Sequence, residues 1–302
     1  MNFKVIFKCM LLAGLPFLAA CNSDDTDLQM VQPLQLCVST GVSESRAVVD
    51  GWFLPEGGQL GVSLVATDGS AYDGKSYNNI PYTATGNGYD IPQTWSCTGS
   101  VVPSLSTTLG KAVAYYPYNE SVTDLTAIPI ETASQTDYMY SGWYSYLYYA
   151  TPKANLTMNH AMAVLKLYIS TGRFDNFESI DKVTSLELVS NMFGTSAILN
   201  ATDGTLSNIS VATVDDQADN RFVLNIEPED FFVLSEDGNY YIAEILVIPT
   251  IPAESGFISL AIFGDIGGSI VAGNEEICYP TINLKQGSKY IWRIEGNGGG
   301  PV

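Results

Sequence analysis

Ala163-Val164-Leu165-Lys166-Leu167-Tyr168-Ile169 is a segment in which apolar and polar side chains alternate. Such alternation places successive side chains on opposite faces, so the segment predicts a β-strand with one buried face. Similar strand signals occur at Gln59–Ala66, Lys111–Pro117, Ser185–Val189, Arg221–Ile226, Phe257–Ile262 and Lys289–Ile294. Tight-turn signals are the Asp-Gly pairs that begin at Asp50, Asp68, Asp73, Asp203 and Asp237. Since no stretch shows helical periodicity, the sequence predicts an all-β fold.

The length of 302 residues indicates more than one β-sandwich. About seven strands form one sandwich of roughly 100–150 residues, so two sandwiches in tandem are expected. We place the boundary at Thr171-Gly172-Arg173, which gives an N-terminal domain over residues 21–172 and a C-terminal domain over 173–302.

The first twenty residues have the features of an export signal. Lys4 and Lys8 precede an apolar run that is too short to span a membrane and ends in small residues before Cys21. This resembles a bacterial lipoprotein signal, which implies removal of residues 1–20 and lipidation of Cys21, including palmitate. Acyl chains would anchor the protein in the outer membrane. Ser23-Asp24-Asp25 resembles a surface-export tag, with a solvated linker as the alternative.

The formal net charge is −19 at pH 7. Such an acidic chain is unsuited to nucleic acid or to anionic lipid surfaces. After processing, Cys37, Cys97 and Cys278 remain beside the lipidated cysteine. They allow at most one disulfide among themselves, and their strand-like surroundings favour buried free thiols.

The sequence contains no recognisable catalytic or metal-binding motif. His160 is the single histidine, and its place in an alternating strand favours a structural role. The three remaining cysteines lack zinc-ligand spacing. Asp215, Asp216 and Asp219 lack a regular calcium-loop pattern. We therefore predict a protein that is not an enzyme and that holds no metal or cofactor.

The richest aromatic stretch runs from Tyr138 to Tyr149. On a strand, Tyr144, Tyr146 and Tyr148 would share one face, while Leu147 and Tyr149 would share the other. Together with Trp143, this row of rings could stack on sugars. The alternative is packing and protection of a sheet edge, with the tyrosine hydroxyls in water.

Six segments in order resemble the fimbrillin family, the subunits of type V pili and their lipoprotein relatives. They span Phe53 to Tyr290, nearly the whole mature chain. The segments are Phe53–Val62, Ala114–Tyr118, Asp137–Tyr140, Leu156–Leu167 with its central His-Ala-Met-Ala, Ile245–Pro249 and Leu284–Tyr290.

The resemblance implies two tandem transthyretin-like β-sandwiches and assembly by β-strand exchange. An Arg-specific protease would cut between Arg46 and Ala47 and release a first strand over residues 34–42. In that strand Leu34, Leu36, Val38 and Val42 would face one way. A strand from another pilus subunit would then fill the groove. The alternative is an uncut first strand followed by an ordinary loop arginine.

The glycine-rich stretch Gly296–Pro301 lacks the apolar alternation that a donor strand needs. We therefore expect a cell-surface tip or accessory subunit that accepts a strand and mediates adhesion to a host or bacterial receptor or glycan. The alternative function is a carbohydrate-binding surface lipoprotein that does not polymerise.

Overall fold

The computed structural model describes residues 34–43, 54, 57–85, 92–170, 183–190, 193–211, 222–225, 233–250, 258–266, 269–272, 276–278 and 283–294. Every regular element in these ranges is a β-strand, which confirms the predicted all-β class. The strands are β1 (Leu34–Gln35), β2 (Cys37–Val42), β3 (Gln59–Ala66), β4 (Tyr77–Thr85), β5 (Gln93–Cys97), β6 (Ser104–Leu105), β7 (Gly110–Tyr116), β8 (Ile128–Glu131), β9 (Met139–Tyr140), β10 (Tyr144–Leu147), β11 (Lys153–His160), β12 (Ala163–Ser170), β13 (Val183–Ser190), β14 (Phe193–Leu199), β15 (Leu206–Val211), β16 (Phe222–Asn225), β17 (Val233–Leu234), β18 (Tyr240–Pro249), β19 (Ile258–Ile266), β20 (Ser269–Ala272), β21 (Glu276–Cys278) and β22 (Lys289–Ile294).

The first sheet has eight strands in the order β10-β7-β3-β4-β5-β2-β11-β9. A further pairing of β7 with β9 closes this sheet on itself, while β1 pairs separately with β6. A first hydrophobic core fills the interior, and its largest fully buried side chains are Tyr72, Tyr82, Leu36, Leu60, Leu64, Leu105, Met139, Leu147 and Met158.

β11 shows how the sequence pattern produces this sheet. Ala154, Leu156, Met158 and His160 are buried, whereas Lys153, Asn155 and Thr157 between them are exposed. This is the pattern of an antiparallel or mixed sheet that packs one face on a core and turns the other to water.

β7 is buried on both faces, because a second hydrophobic core covers its outer side. Ala112 and Ala114 belong to the first core, and Val113 and Tyr115 belong to the second. The second core continues through the following residues: Val122, Leu125, Ile128, Ile130, Ala161, Met162, Ala197, Leu199, Ala201 and Ile248. A Cβ atom on Gly61 would collide with the Tyr115 ring, so close packing at this point requires glycine.

Two further sheets follow. One has the path β15-β14-β18-β12-β22, with β17 on β18 and β8 on β14. The other has the order β16-β13-β19-β20, with β21 on β19. The predicted boundary at residues 171–173 lies outside the described residues, and β8 and β12, which precede it, pair with strands that follow it. The tandem transthyretin-like arrangement and the domain limits stay predictions.

The strands predicted at Gln59–Ala66 and Lys289–Ile294 are confirmed with the same limits. The Ala163–Ile169 strand is also confirmed and extends to Ser170. Gly69, Gly74, Gly204 and Gly238 all have positive φ, as Asp-Gly turns require. Among the described residues, no helix is long and apolar enough to cross a membrane.

Candidate functional site

The strand predicted to be removable occupies an interior position in the closed sheet. β2 runs antiparallel to β5, with Val38 opposite Trp95 and Thr40 opposite Gln93. On its other side it runs parallel to β11, from Cys37 opposite Lys153 to Val42 opposite Met158. β2 therefore has a hydrogen-bonded neighbour on both sides.

The apolar residues of the segment differ in how deeply they are buried. Leu36 is 1% exposed and Val38 is 2% exposed, and both belong to the first core. Val42 is half-buried against the same core. Leu34 is 47% exposed, so the prediction that it shares their environment is wrong. The reason is that Leu34 lies in β1, which leaves the closed sheet to pair with β6.

Two polar side chains of β2 are also buried and hydrogen-bonded. The indole Nε1 of Trp95 donates to Thr40 Oγ1 at 2.9 Å. Ser39 Oγ donates to Asn155 Oδ1 at 2.7 Å. These bonds link β2 to β5 and to β11, and the alternation of apolar residues gave no signal for either.

Main-chain hydrogen bonds fix both ends of the segment. Leu36 N donates to Pro103 O at 2.9 Å, Cys37 N to Pro152 O at 2.8 Å, and Ser43 N to Met158 O at 2.8 Å. The Tyr82 hydroxyl donates to Leu36 O at 3.3 Å. Burial raises the pKa of this tyrosine, which therefore stays a neutral donor.

The Gln93 side chain holds the main chain at Leu54, the first described residue after the predicted cleavage point. Gln93 is 3% exposed, and its amide bonds both main-chain groups of Leu54. The distances are 3.1 Å from Leu54 N to Gln93 Oε1 and 3.0 Å from Gln93 Nε2 to Leu54 O. Leu54 is itself 4% exposed and packs in the first core. Leu54 is thus attached to β5 by hydrogen bonds in which β2 takes no part.

Several predicted site residues lie outside the described residues. They are the lipidation site Cys21 and the cleavage pair Arg46 and Ala47, whose roles stay predictions. Asp215, Asp216 and Asp219, which lack a regular calcium-loop pattern, also lie outside the described residues.

Cys37 and Cys97 are free thiols. Cys37 is exposed, contrary to the expectation of a buried thiol. It lies between Leu36 and Val38 in the sequence, and because their side chains point into the core, its own side chain points away from it. Cys97 is half-buried against the first core.

The aromatic stretch does not form the predicted row. A β-bulge between Ser145 and Leu147 interrupts the pairing of β10 with β7, and Tyr146 adopts a φ of 67°. Tyr144 therefore packs against the first core, as Leu147 does, while Tyr146 is 76% exposed. Trp143 is 39% exposed, and Lys111 Nζ lies 4.6 Å from its ring centroid. Tyr148 is half-buried and stands edge-on to Tyr149.

His160 contacts the carboxylate of Asp137 at the end of β11. It is 5% exposed, and its Nδ1 lies 2.9 Å and 2.8 Å from the two carboxylate oxygens of Asp137. Within the described ranges, no group of three or more His, Cys, Asp or Glu side chains is placed to hold a metal ion. The geometry is that of a histidine with a satisfied structural contact.

One family model and several solved structures match most of the chain. A family model described as fimbrillin-like matches residues 45–300. A candidate cell adhesion protein from Bacteroides uniformis is 18% identical, with a TM-score of 0.59 over 92% of this chain and 96% of that one. A second candidate cell adhesion protein, from Bacteroides ovatus, is 17% identical, with a TM-score of 0.56 over 89% and 95%.

No curated protein matches the chain. At these identities the solved structures show a shared fold, whereas the family model covers most of the sequence. The chain therefore belongs to the fimbrillin-like family of cell-surface fimbrial proteins, whose role is structural rather than enzymatic.

Proposed function

We propose that this protein is a fimbrial tip or accessory subunit that accepts a β-strand from another subunit after its own first strand is cut away. In this proposal a protease cleaves between Arg46 and Ala47 and releases β1 and β2. Cys21 would carry the lipid anchor until that cut. The acceptor groove is the space that β2 occupies between β5 and β11.

One observation carries the proposal: β2, which directly follows the short strand β1 at the start of the described chain, occupies an interior place in the closed sheet. A single cut after it would separate it from β3 and leave the remaining strands covalently continuous. Because the Gln93 amide is hydrogen-bonded to the main chain of Leu54, the cut would free β1 and β2 without releasing Leu54 from β5.

An empty groove would lower the stability of the folded protein, and this supports refilling by another strand. Burial of an aliphatic side chain such as Leu36 or Val38 contributes roughly 1.5–3 kcal/mol each. Removal would also leave the Trp95 indole and the facing main-chain groups of β5 and β11 without partners. A buried unpaired polar group costs about 1–3 kcal/mol. An added strand restores both kinds of interaction, as in other β-augmented complexes.

These contacts also define the incoming strand. It needs apolar residues at the positions of Leu36 and Val38, and a side chain that accepts a hydrogen bond at the position of Thr40.

Limited trypsin digestion with N-terminal sequencing tests the cut. We expect a new N-terminus at Ala47 in the parent and none there in Arg46→Ala. A peptide with the sequence of residues 34–42 should then raise the melting temperature of the cut protein by mass action. The same peptide with valine in place of Thr40 should raise it less, because valine cannot accept the Trp95 hydrogen bond. Resistance of folded protein to cleavage at Arg46, or no stabilisation by either peptide, contradicts strand exchange.

Carbohydrate binding at the aromatic stretch is the second candidate function. The observation in its favour is the exposure of Tyr146 and Trp143, with Lys111 beside the indole. Loss of glycan-array binding in Tyr146→Ala, with an unchanged melting temperature, would support it. Tyr144 is unsuitable for this test because it packs against the core.

A further inference from the structure

Strands β12, β18 and β22 carry three cations on one face, of which Arg293 is exposed and Lys166 and Lys289 are half-buried. We call Lys166, Tyr168, Glu244, Lys289, Ile291 and Arg293 the basic sheet face. Cross-strand register places them together: Lys166 is opposite Glu244 and Ile291, and Tyr168 is opposite Arg293. Residues opposite one another in a sheet share a face. The other face of the same strands is buried through Leu165, Leu167 and Trp292.

Two ammonium groups on this face share one carboxylate. Lys166 Nζ lies 2.7 Å from Glu244 Oε1, and Lys289 Nζ lies 2.9 Å from the same oxygen. Two ammonium groups on one carboxylate leave one positive charge in excess.

Arg293 is held by aromatic rings. Its guanidinium carbon lies 5.3 Å from the Tyr168 centroid and 5.9 Å from that of Tyr240, and the two rings meet edge-to-face. The ion pairs within the described ranges do not include it. A guanidinium fixed on rings keeps its planar fork of donors for a carboxylate.

The charge of the face is opposite to that of the chain. Three cations face one carboxylate here, whereas the whole protein has a net charge of −19. The face also includes Ile291, which is 40% exposed. A local positive potential with an apolar centre complements a ligand that carries carboxylates on an otherwise uncharged body.

The size of the face favours a small ligand over a protein. Lys289 and Arg293 are four residues apart along β22, which corresponds to about 13 Å, and three strands span about 10 Å. The resulting area of roughly 130 Å² is well below the ~800 Å² that each partner buries in a typical protein–protein interface. It suits a short oligosaccharide.

We propose that the basic sheet face binds a short carboxylate-bearing glycan. Arg293 takes one carboxylate, the Lys166 and Lys289 ammonium groups take a second, and Ile291 packs against the sugar between them. This site is separate from both the β2 groove and the aromatic stretch, and it does not depend on strand exchange.

Calorimetric titration of the purified full chain with oligogalacturonate tests the proposal, with a neutral maltooligosaccharide and polyglutamate as comparison probes. Arg293→Gln and Lys289→Gln should each weaken oligogalacturonate binding by about tenfold or more, because each removes a charged donor. The matched control is Lys153→Gln, an exposed lysine on β11, which should change it by less than about twofold. Melting temperatures of all variants establish that they are folded.

Binding of oligogalacturonate that weakens with added salt and depends on Arg293 and Lys289 supports the site. The proposal is overturned by equal binding of the neutral sugar, by equal loss in Lys153→Gln, or by no binding of oligogalacturonate at all. Polyglutamate binding as tightly as the glycan would instead assign the face to an acidic polypeptide and also overturns the proposal.

Discussion

The indole Nε1 of Trp95 donates a hydrogen bond of 2.9 Å to Thr40 Oγ1, and this buried side-chain bond links β5 to β2. Trp95 is 5% exposed and Thr40 is 3% exposed, so water does not replace either partner readily. The bond therefore couples the stability of the closed sheet to the presence of β2.

Thr40→Val should lower the free energy of unfolding by about 1–3 kcal/mol, because it leaves the buried indole N–H unpaired while preserving shape. Urea denaturation measures the change. The control Thr94→Val alters an exposed threonine of β5 and should change stability by less than about 0.5 kcal/mol. Equal effects in the two variants would show that the Trp95 bond contributes nothing specific.

Leu36→Ala should destabilise the protein by about 2–5 kcal/mol, since it opens a cavity in the first core. Leu34→Ala, two residues earlier on the same segment, should cost less than about 0.5 kcal/mol, because Leu34 is 47% exposed. Thermal and urea unfolding of both variants give the comparison. A large effect at Leu34 would contradict the separation of β1 from the core.

Tyr144, before the β-bulge, and Tyr146, within it, should respond differently to truncation. Tyr144→Ala removes a ring that packs against the first core and should cost about 1–3 kcal/mol. Tyr146→Ala removes a ring that is 76% exposed and should leave stability within about 0.5 kcal/mol of the parent. Similar losses in both variants would mean that the rings share one environment after all.

Glu244 should make stability depend on acid pH. Burial raises its pKa, but the hydrogen bonds from Lys166 and Lys289 outweigh this and bring the pKa below the ordinary value of 4.5. A carboxyl with a lowered folded-state pKa stabilises the protein above its unfolded-state pKa, and that contribution is lost as pH falls through the folded value.

Glu244→Gln should therefore destabilise the protein by about 1 kcal/mol at neutral pH and by much less near pH 3. Chemical denaturation at both pH values measures the difference. Glu131→Gln, on exposed Glu131 of β8, is the control for loss of a surface charge and should stay within about 0.5 kcal/mol of the parent at neutral pH. A penalty at Glu244 that does not change with pH would contradict the ion-pair explanation.

The sequence alone predicts the strands because alternation is a local property of the backbone. The β-strand places every second side chain on one face, so Gln59–Ala66 and Ala163–Ile169 reveal their class without any partner. Asp-Gly turns are equally local, since the glycine needs only its own positive φ. The fimbrillin resemblance rests on such segments taken in order, and the family match over residues 45–300 confirms it.

Tertiary structure alone determines which strands become neighbours. β2 lies between β5 and β11, and β12 pairs with β18 and β22, across sequence separations that no local pattern records. The β-bulge at Tyr146, which gives Tyr144 and Tyr146 different environments, arises from the pairing of β10 with β7. The basic sheet face likewise exists only because the register aligns Lys166 with Glu244, and Arg293 with Tyr168. Alternation assigns a residue to a face, but long-range pairing decides which other residues share it.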